Sequence, residues 1–191
     1  MPMSFIAHGD LMLKNYLAKM KGTTQSPPMV SAREIVLSWV GSFLGIASVA
    51  FLNFKLLNGF DLIMIIGSFG ASAVLIYGAI KSPLAQPRNL VGGHVLSAFV
   101  GVIAFKLFHA EPWMAASIAV ATSVALMHAT KTLHPPGGAT ALIFVIGSDQ
   151  IHALGFMYVL VPTGAGALTM LLVALIFNNI SSHRRYPEFW L

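Results

Sequence analysis

Six apolar segments fill most of this chain and leave it few ways to fold: Ile35 to Asn53, Leu62 to Ile80, Leu90 to Phe105, Trp113 to Thr130, His134 to Gly147 and Ala153 to Phe177. Four come close to the roughly 20 residues that a membrane-spanning helix needs, and the third is slightly short. The fifth, at 14 residues, is too short for an ordinary span. Apolar residues make up 57% of the 191 positions and charged ones 9%, against roughly 25% charged in a typical soluble domain. That is too much apolar surface for one soluble core. The expected fold class is therefore an all-α integral membrane protein, with the lipid bilayer as its first partner.

Composition excludes several chemistries. Cysteine is absent, so disulfide frameworks, Cys-ligated zinc or iron–sulfur clusters and a Cys nucleophile are ruled out. The formal charge is +5, but the cations flank apolar segments, as topology signals do. No basic cluster interleaves with aromatics, so nucleic acid is not an expected partner. Met1 to Asp10 lacks the basic start and long apolar run of a cleavable signal peptide. Phe5, Ile6, Leu13, Tyr16, Leu17 and Met20 lie near one face of a potential helix, beside Lys14, Lys19 and Lys21. An interfacial helix and a partly ordered tail both fit that stretch. Thr23 to Pro28 reads as a linker.

The basic residues set the topology. If all six segments cross and the N-terminus is cytoplasmic, Lys14, Lys19, Lys21, Arg33, Lys81, Arg88, Lys131, Arg184 and Arg185 fall inside, and only Lys55 and Lys106 outside. This is a positive-inside distribution. A fifth segment that turned back would strand Arg184 and Arg185 on the wrong side. Six crossings with both termini cytoplasmic, in a bacterial inner membrane, is the expectation.

The halves of the chain also align. "GASAVLIY" (Gly70 to Tyr77) lies over "GATALIFV" (Gly138 to Val145), and "WVGSFLGIAS" from Trp39 over "WMAASIAVAT" from Trp113. Three crossings per half predict a 3+3 inverted repeat, an architecture that places sites where helices break. Segments 2 and 5 carry such breaks, at "GSFG" (Gly67 to Gly70) and "HPPGG" (His134 to Gly138). An extended Lys131 to Pro136 covers about 20 Å, and a helix from Gly137 to Gly147 about 16 Å. Together they cross a core of about 30 Å. The helix then starts inside the membrane, where its free N–H groups favour a small anion. The alternative is that Ser72, Thr140 or water satisfies those groups and the breaks serve packing.

The predicted binding residues are Gly70, Ala71 and Ser72 on segment 2, His94 on segment 3, and His134, Pro135, Pro136, Gly137, Gly138, Ala139 and Thr140 on segment 5. Gln86, Arg88 and Asn89, in and beside the loop "SPLAQPRN", are expected at the inner mouth, where Arg88 also fits as a topology anchor. His128, near a helix end, is a weaker candidate. The histidines have no i, i+4 partner, so no metal site is expected, nor any cofactor. Gly41 and Gly45 form a GxxxG, read as packing within the fold ahead of a dimer seam. A homo-oligomer stays compatible with the sequence.

"GSFGASAVLIYGA", "SPLAQPRNLVGGH", "HPPGGATAL" and "RRYPEFW" occur in that order, and with them the chain resembles the HPP family of integral membrane proteins from about Arg33 to Trp190. The family is named for the motif that here is His134, Pro135 and Pro136. The expected organisation is a cytoplasmic N-terminal tail at 1–32, a transmembrane domain at 33–180 and a cytoplasmic C-terminal tail at 181–191. The resemblance implies four membrane-spanning helices, from which the six-segment reading departs. It implies no regulatory nucleotide here, since the CBS domains that some members carry are not seen in this sequence. Members in chloroplasts and cyanobacteria are associated with nitrite transport, so the resemblance implies a transporter or channel for a small inorganic anion. The alternatives are a structural or assembly subunit, and an intramembrane enzyme using His94 and His134. The enzyme is disfavoured by the lack of GxSxG, HExxH or an intramembrane carboxylate pair.

Overall fold

A computed structural model describes residues 12–57 and 64–191. Phe5, Ile6 and the start of the second segment at Leu62 lie outside the described residues. The chain forms two units, residues 1–31 and 32–191. In the first, residues 12–18 are helical and exposed.

The second unit is all helical among its described residues. Helix α1 is Ala32–Phe51 and continues through a wider turn to Leu56; α2 is Ser68–Ala73, extended likewise to Gly78. Then come α3 (Pro87–Phe108), α4 (Pro112–Ala129), α5 (Pro135–Ile146), α6 (Asp149–Leu154) and α7 (Ala165–Asn178), the last entered through a turn at Val159–Gly164. Among the described residues, four helices are long and apolar enough to cross a membrane: Ala32–Leu56, Pro87–Phe108, Pro112–Ala129 and Val159–Asn178. Segments 2 and 5 are instead the shorter helices Ser68–Gly78 and Pro135–Ile146.

Both short helices follow an unwound stretch, and in each case an asparagine satisfies the freed backbone. Met64 to Ile66 are non-helical, and Asn53 Oδ1 accepts from the N–H groups of Met64 (2.7 Å) and Ile65 (3.3 Å). Before α5, His134 is extended, and Asn89 Nδ2 donates to the Leu133 carbonyl at 2.8 Å. Unwound backbone at membrane depth persists only when buried and paired in this way.

Small residues let the helices close up. On α3, Gly93, Ser97 and Gly101 recur every fourth position and face α5. A Cβ on Gly93 would lie 2.6 Å from His134 Cβ, one on Gly101 2.7 Å from the Ala141 carbonyl, and one on Gly137 2.7 Å from the Gly93 carbonyl. This small-residue seam brings two backbones nearly into contact. On α1, Gly41 and Gly45 accept the ring of Tyr77, with Phe177 also against Gly41. The GxxxG thus serves packing within the bundle. The Tyr77 hydroxyl donates onward to the Met170 carbonyl at 3.0 Å.

Within residues 181–191, Ser181, Arg184 and Tyr186 are buried against the bundle, while Glu188 to Leu191 are exposed. Arg184 is buried and paired with Glu34 at the start of α1, Nη2 to Oε1 at 2.6 Å. Its other nitrogens donate to Asn178 Oδ1 at 3.0 Å and Glu34 Oε2 at 3.2 Å. The buried Tyr186 hydroxyl donates to the Ala85 carbonyl at 2.7 Å, and burial pushes its pKa up. Arg33, Lys81, Arg88, Lys131 and Arg184 thereby gather at one end of the bundle, while Lys55 and Lys106 lie near the ends of α1 and α3 away from it.

Candidate functional site

The two breaks and the middle of α3 bring five polar side chains together in the apolar interior. Ser68 and Ser72 come from α2, His94 from α3, His134 and Thr140 from the start of α5. Ser72, His94, His134 and Thr140 have no exposed surface, and Ser68 is 1% exposed. Ser72 Oγ lies 2.7 Å from His94 Nε2 and 2.9 Å from His134 Nε2. His94 Nδ1 is 2.7 Å from Thr140 Oγ1, which is 2.8 Å from Ser68 Oγ. His134 Nδ1 reaches the Leu84 carbonyl at 2.8 Å. The imidazoles sit 5.0 Å apart, with the edge of Phe69 against His94.

A single carbonyl sets the direction of this chain of hydrogen bonds. The Leu84 oxygen can only accept, so His134 Nδ1 carries the hydrogen there. In a neutral ring Nε2 must then accept, and the Ser72 hydroxyl donates to it. Ser72 has no second hydrogen, so His94 Nε2 donates to Ser72. His94 Nδ1 is then the accepting nitrogen and faces Thr140 Oγ1, whose single hydroxyl hydrogen is shared between it and Ser68 Oγ. From His94 through Ser72 and His134 each donor points the same way, toward Leu84, at the basic end of the bundle. No carboxylate joins the group, and no set of three or more His, Asp or Glu that could hold a metal occurs among the described residues.

The local sequence explains why the site forms here. Pro135 and Pro136 occupy the first two helical positions of α5, where a missing N–H costs nothing. Gly137 N–H bonds the His134 carbonyl at 2.8 Å. Thr140 therefore faces Ser68 and His94 one turn further on, and its own carbonyl accepts from the Tyr158 hydroxyl at 3.0 Å.

The structure brings together Ser72, His94, His134 and Thr140 from the sequence prediction. Pro136, Gly137 and Gly138 are buried beside them, and Ala139 is half-buried. Gly70, Ala71 and Pro135 do not join them: they are exposed on the outer face. Gln86 is fully buried, its Nε2 donating to the carbonyls of Ile80 and Ser82 and its Oε1 accepting from Glu188 N–H. Arg88 and Asn89 do line a cleft at the basic end, with His128 and Lys131. Sequence reasoning missed Ser68 and the Leu84 carbonyl. Ser68 stands four residues before Ser72, a helical spacing that could have flagged it.

The HPP transmembrane region matches residues 27–187 of this chain. The chain belongs to the HPP transmembrane family. Among similar proteins are two transmembrane proteins of Dictyostelium discoideum, 49% identical over 178 residues and 46% identical over 180. Each alignment covers 92% of this chain, but only 57% and 63% of the relative. No solved structure matches it. Family membership and the apolar helices together make it an integral membrane protein.

Proposed function

We propose that this HPP protein is a transporter or channel for a small inorganic anion, with nitrite as first choice. The observation that carries the reading is the buried set of neutral donors: Ser68, Ser72, His134 and Thr140 at the starts of two short helices, and His94 on α3 between them. Hydroxyls and imidazole N–H groups can turn toward a passing monovalent anion and release it, whereas a buried fixed cation would hold it. The proposal includes the 3+3 inverted repeat, supported by the alignment of Gly70 to Tyr77 with Gly138 to Val145 and by the break before each short helix. It puts the basic end of the bundle on the cytoplasmic side of a plasma membrane, bacterial in the sequence reading, and assigns no catalysis. A homo-oligomer belongs to the same proposal.

One observation favours a second reading, a structural or assembly subunit: all five side chains find partners within the chain. Nitrite uptake into proteoliposomes separates the two. Under the transport reading the purified protein raises uptake well above empty vesicles, and His134→Gln with Ser72→Ala removes most of the gain. Uptake equal to that of empty vesicles would leave the cluster as packing.

A further inference from the structure

At the basic end, a cleft of about 470 Å³ opens between the start of α3, the turn joining α4 to α5, and the C-terminal segment. It is far larger than a triatomic anion. Arg88, His128 and Lys131 line it with no acidic residue among its lining, and Phe189 and Leu191 add apolar surface. The cleft lies where two membrane-spanning helices meet the interface, since α3 begins at Pro87 and α4 ends at Ala129. Trp190 is exposed close by, as interfacial aromatics are.

Two local features point to a ligand. Asn89 is 6% exposed and lines the cleft, yet its Oδ1 has no partner; only Nδ2 is used, on Leu133. Such an acceptor calls for a donor such as a hydroxyl. Lys131 has φ 57°, the left-handed region. It closes α4 in a turn where Lys131 N–H bonds the His128 carbonyl and Thr132 N–H the Met127 carbonyl, at 3.2 and 2.9 Å. Glycine is the usual residue at that position. A lysine there costs backbone energy but places a cation over the cleft beside Arg88, itself anchored by Nη2 on the Thr130 carbonyl at 2.7 Å.

We propose that this cleft binds the head group of an anionic glycerophospholipid, with the phosphate at Arg88 and Lys131, a head-group hydroxyl donating to Asn89 Oδ1, and the acyl chains leaving along Phe189. Basic clefts at the interfacial ends of transmembrane helices suit such head groups.

The test is thermal unfolding of the full chain in neutral detergent with added short-chain phosphatidylglycerol, phosphatidylcholine or inorganic phosphate. Phosphatidylglycerol should raise Tm by several degrees, and the other two should not. The decisive variant is Lys131→Gly, which removes the cation and relaxes the left-handed residue. Its Tm without lipid should equal or exceed wild type, while its shift with phosphatidylglycerol falls by at least half. An equal shift from phosphatidylcholine, or a full shift in Lys131→Gly, overturns the proposal. A shift from phosphate alone matching that from phosphatidylglycerol would assign the cleft to free phosphate and also overturn it.

Discussion

The two short helices look alike in sequence and each follows an unwound stretch, but they present their small residues to different surroundings. In α5, Gly137 is wedged against α3 and Gly138 is buried with room to spare: a Cβ there would meet only Val120 Cγ1, at 3.8 Å. In α2, Gly70 is exposed and a Cβ on it would meet nothing within 4 Å. The unwound stretches before them also differ. The one before α2 needs an acceptor for two N–H groups and takes Asn53 Oδ1; the one before α5 needs a donor and takes Asn89 Nδ2. Matching sequence here means a matching break in the helix, without a matching face toward the interior.

The largest effect should come from Gly137→Val. Its Cβ would overlap the Gly93 carbonyl and Ser97 Oγ, at 2.7 and 2.9 Å, and backbone cannot yield as a side chain does. Contacts this close, two of them to backbone atoms, exceed ordinary overpacking at about 1–3 kcal/mol, so the folded yield in detergent should drop steeply. A normal yield and Tm would mean that the α3–α5 seam is looser than the structure shows.

Next come the asparagines. Asn53→Leu strips an acceptor from two backbone N–H groups and should cost several kcal/mol. Asn89→Leu frees one carbonyl, which carries a second lone pair, and should cost about 1–3 kcal/mol. Chemical unfolding of the two variants ranks the breaks. Equal losses would show that the donor and acceptor cases are equivalent here.

What could be read from the sequence follows from this same contrast. "HPPGG" marks a helix start by local rules, because prolines fit the first turn, but α5 begins at Pro135, two residues before the expected Gly137, so the prolines are its first turn and not part of an extended lead-in. His94, His134, Ser72 and Thr140 stand out as polar residues in apolar segments, and they do meet. Gly70 and Ala71 match Gly138 and Ala139 in the alignment of the halves, yet they face outward. In "GSFGASA" small residues lie on all sides of the helix, so hydropathy cannot tell which face turns inward. Gln86 and Arg184 were hidden for another reason. Their partners, Glu188 and Glu34, lie 102 and 150 positions away, and one sequence carries no record of such pairings.

A smaller effect on stability, with a larger one on activity, is expected inside the cluster. Ser72→Ala leaves His94 Nε2 and His134 Nε2 without their shared partner, at about 1–3 kcal/mol. Nitrite uptake should fall more than tenfold, because the chain of hydrogen bonds is cut in the middle. Thr140→Val removes its last link, to Ser68, and should reduce uptake less. If Thr140→Val were the more damaging variant, anion contact would centre on Thr140 and Ser68 in place of the imidazole pair.

The smallest effects belong to the open glycines, and they test most directly whether the two helices do the same work. Gly70→Ala adds a methyl to an exposed helical position, where alanine is favoured by about 0.5–1 kcal/mol, so Tm should hold or rise slightly. With the residue facing away from the cluster, nitrite uptake should not change. Gly138→Ala adds its methyl at ordinary contact distance from Val120, so stability should again hold, but the methyl sits on the buried face of α5 one turn from His134. Uptake should fall in Gly138→Ala alone if the anion passes along that face. A fall in both variants would mean that Gly70 also approaches the anion in some working state, restoring the symmetric site that the sequence suggests. Unchanged uptake in both would move the path off the glycine faces altogether and onto the hydroxyl–imidazole chain.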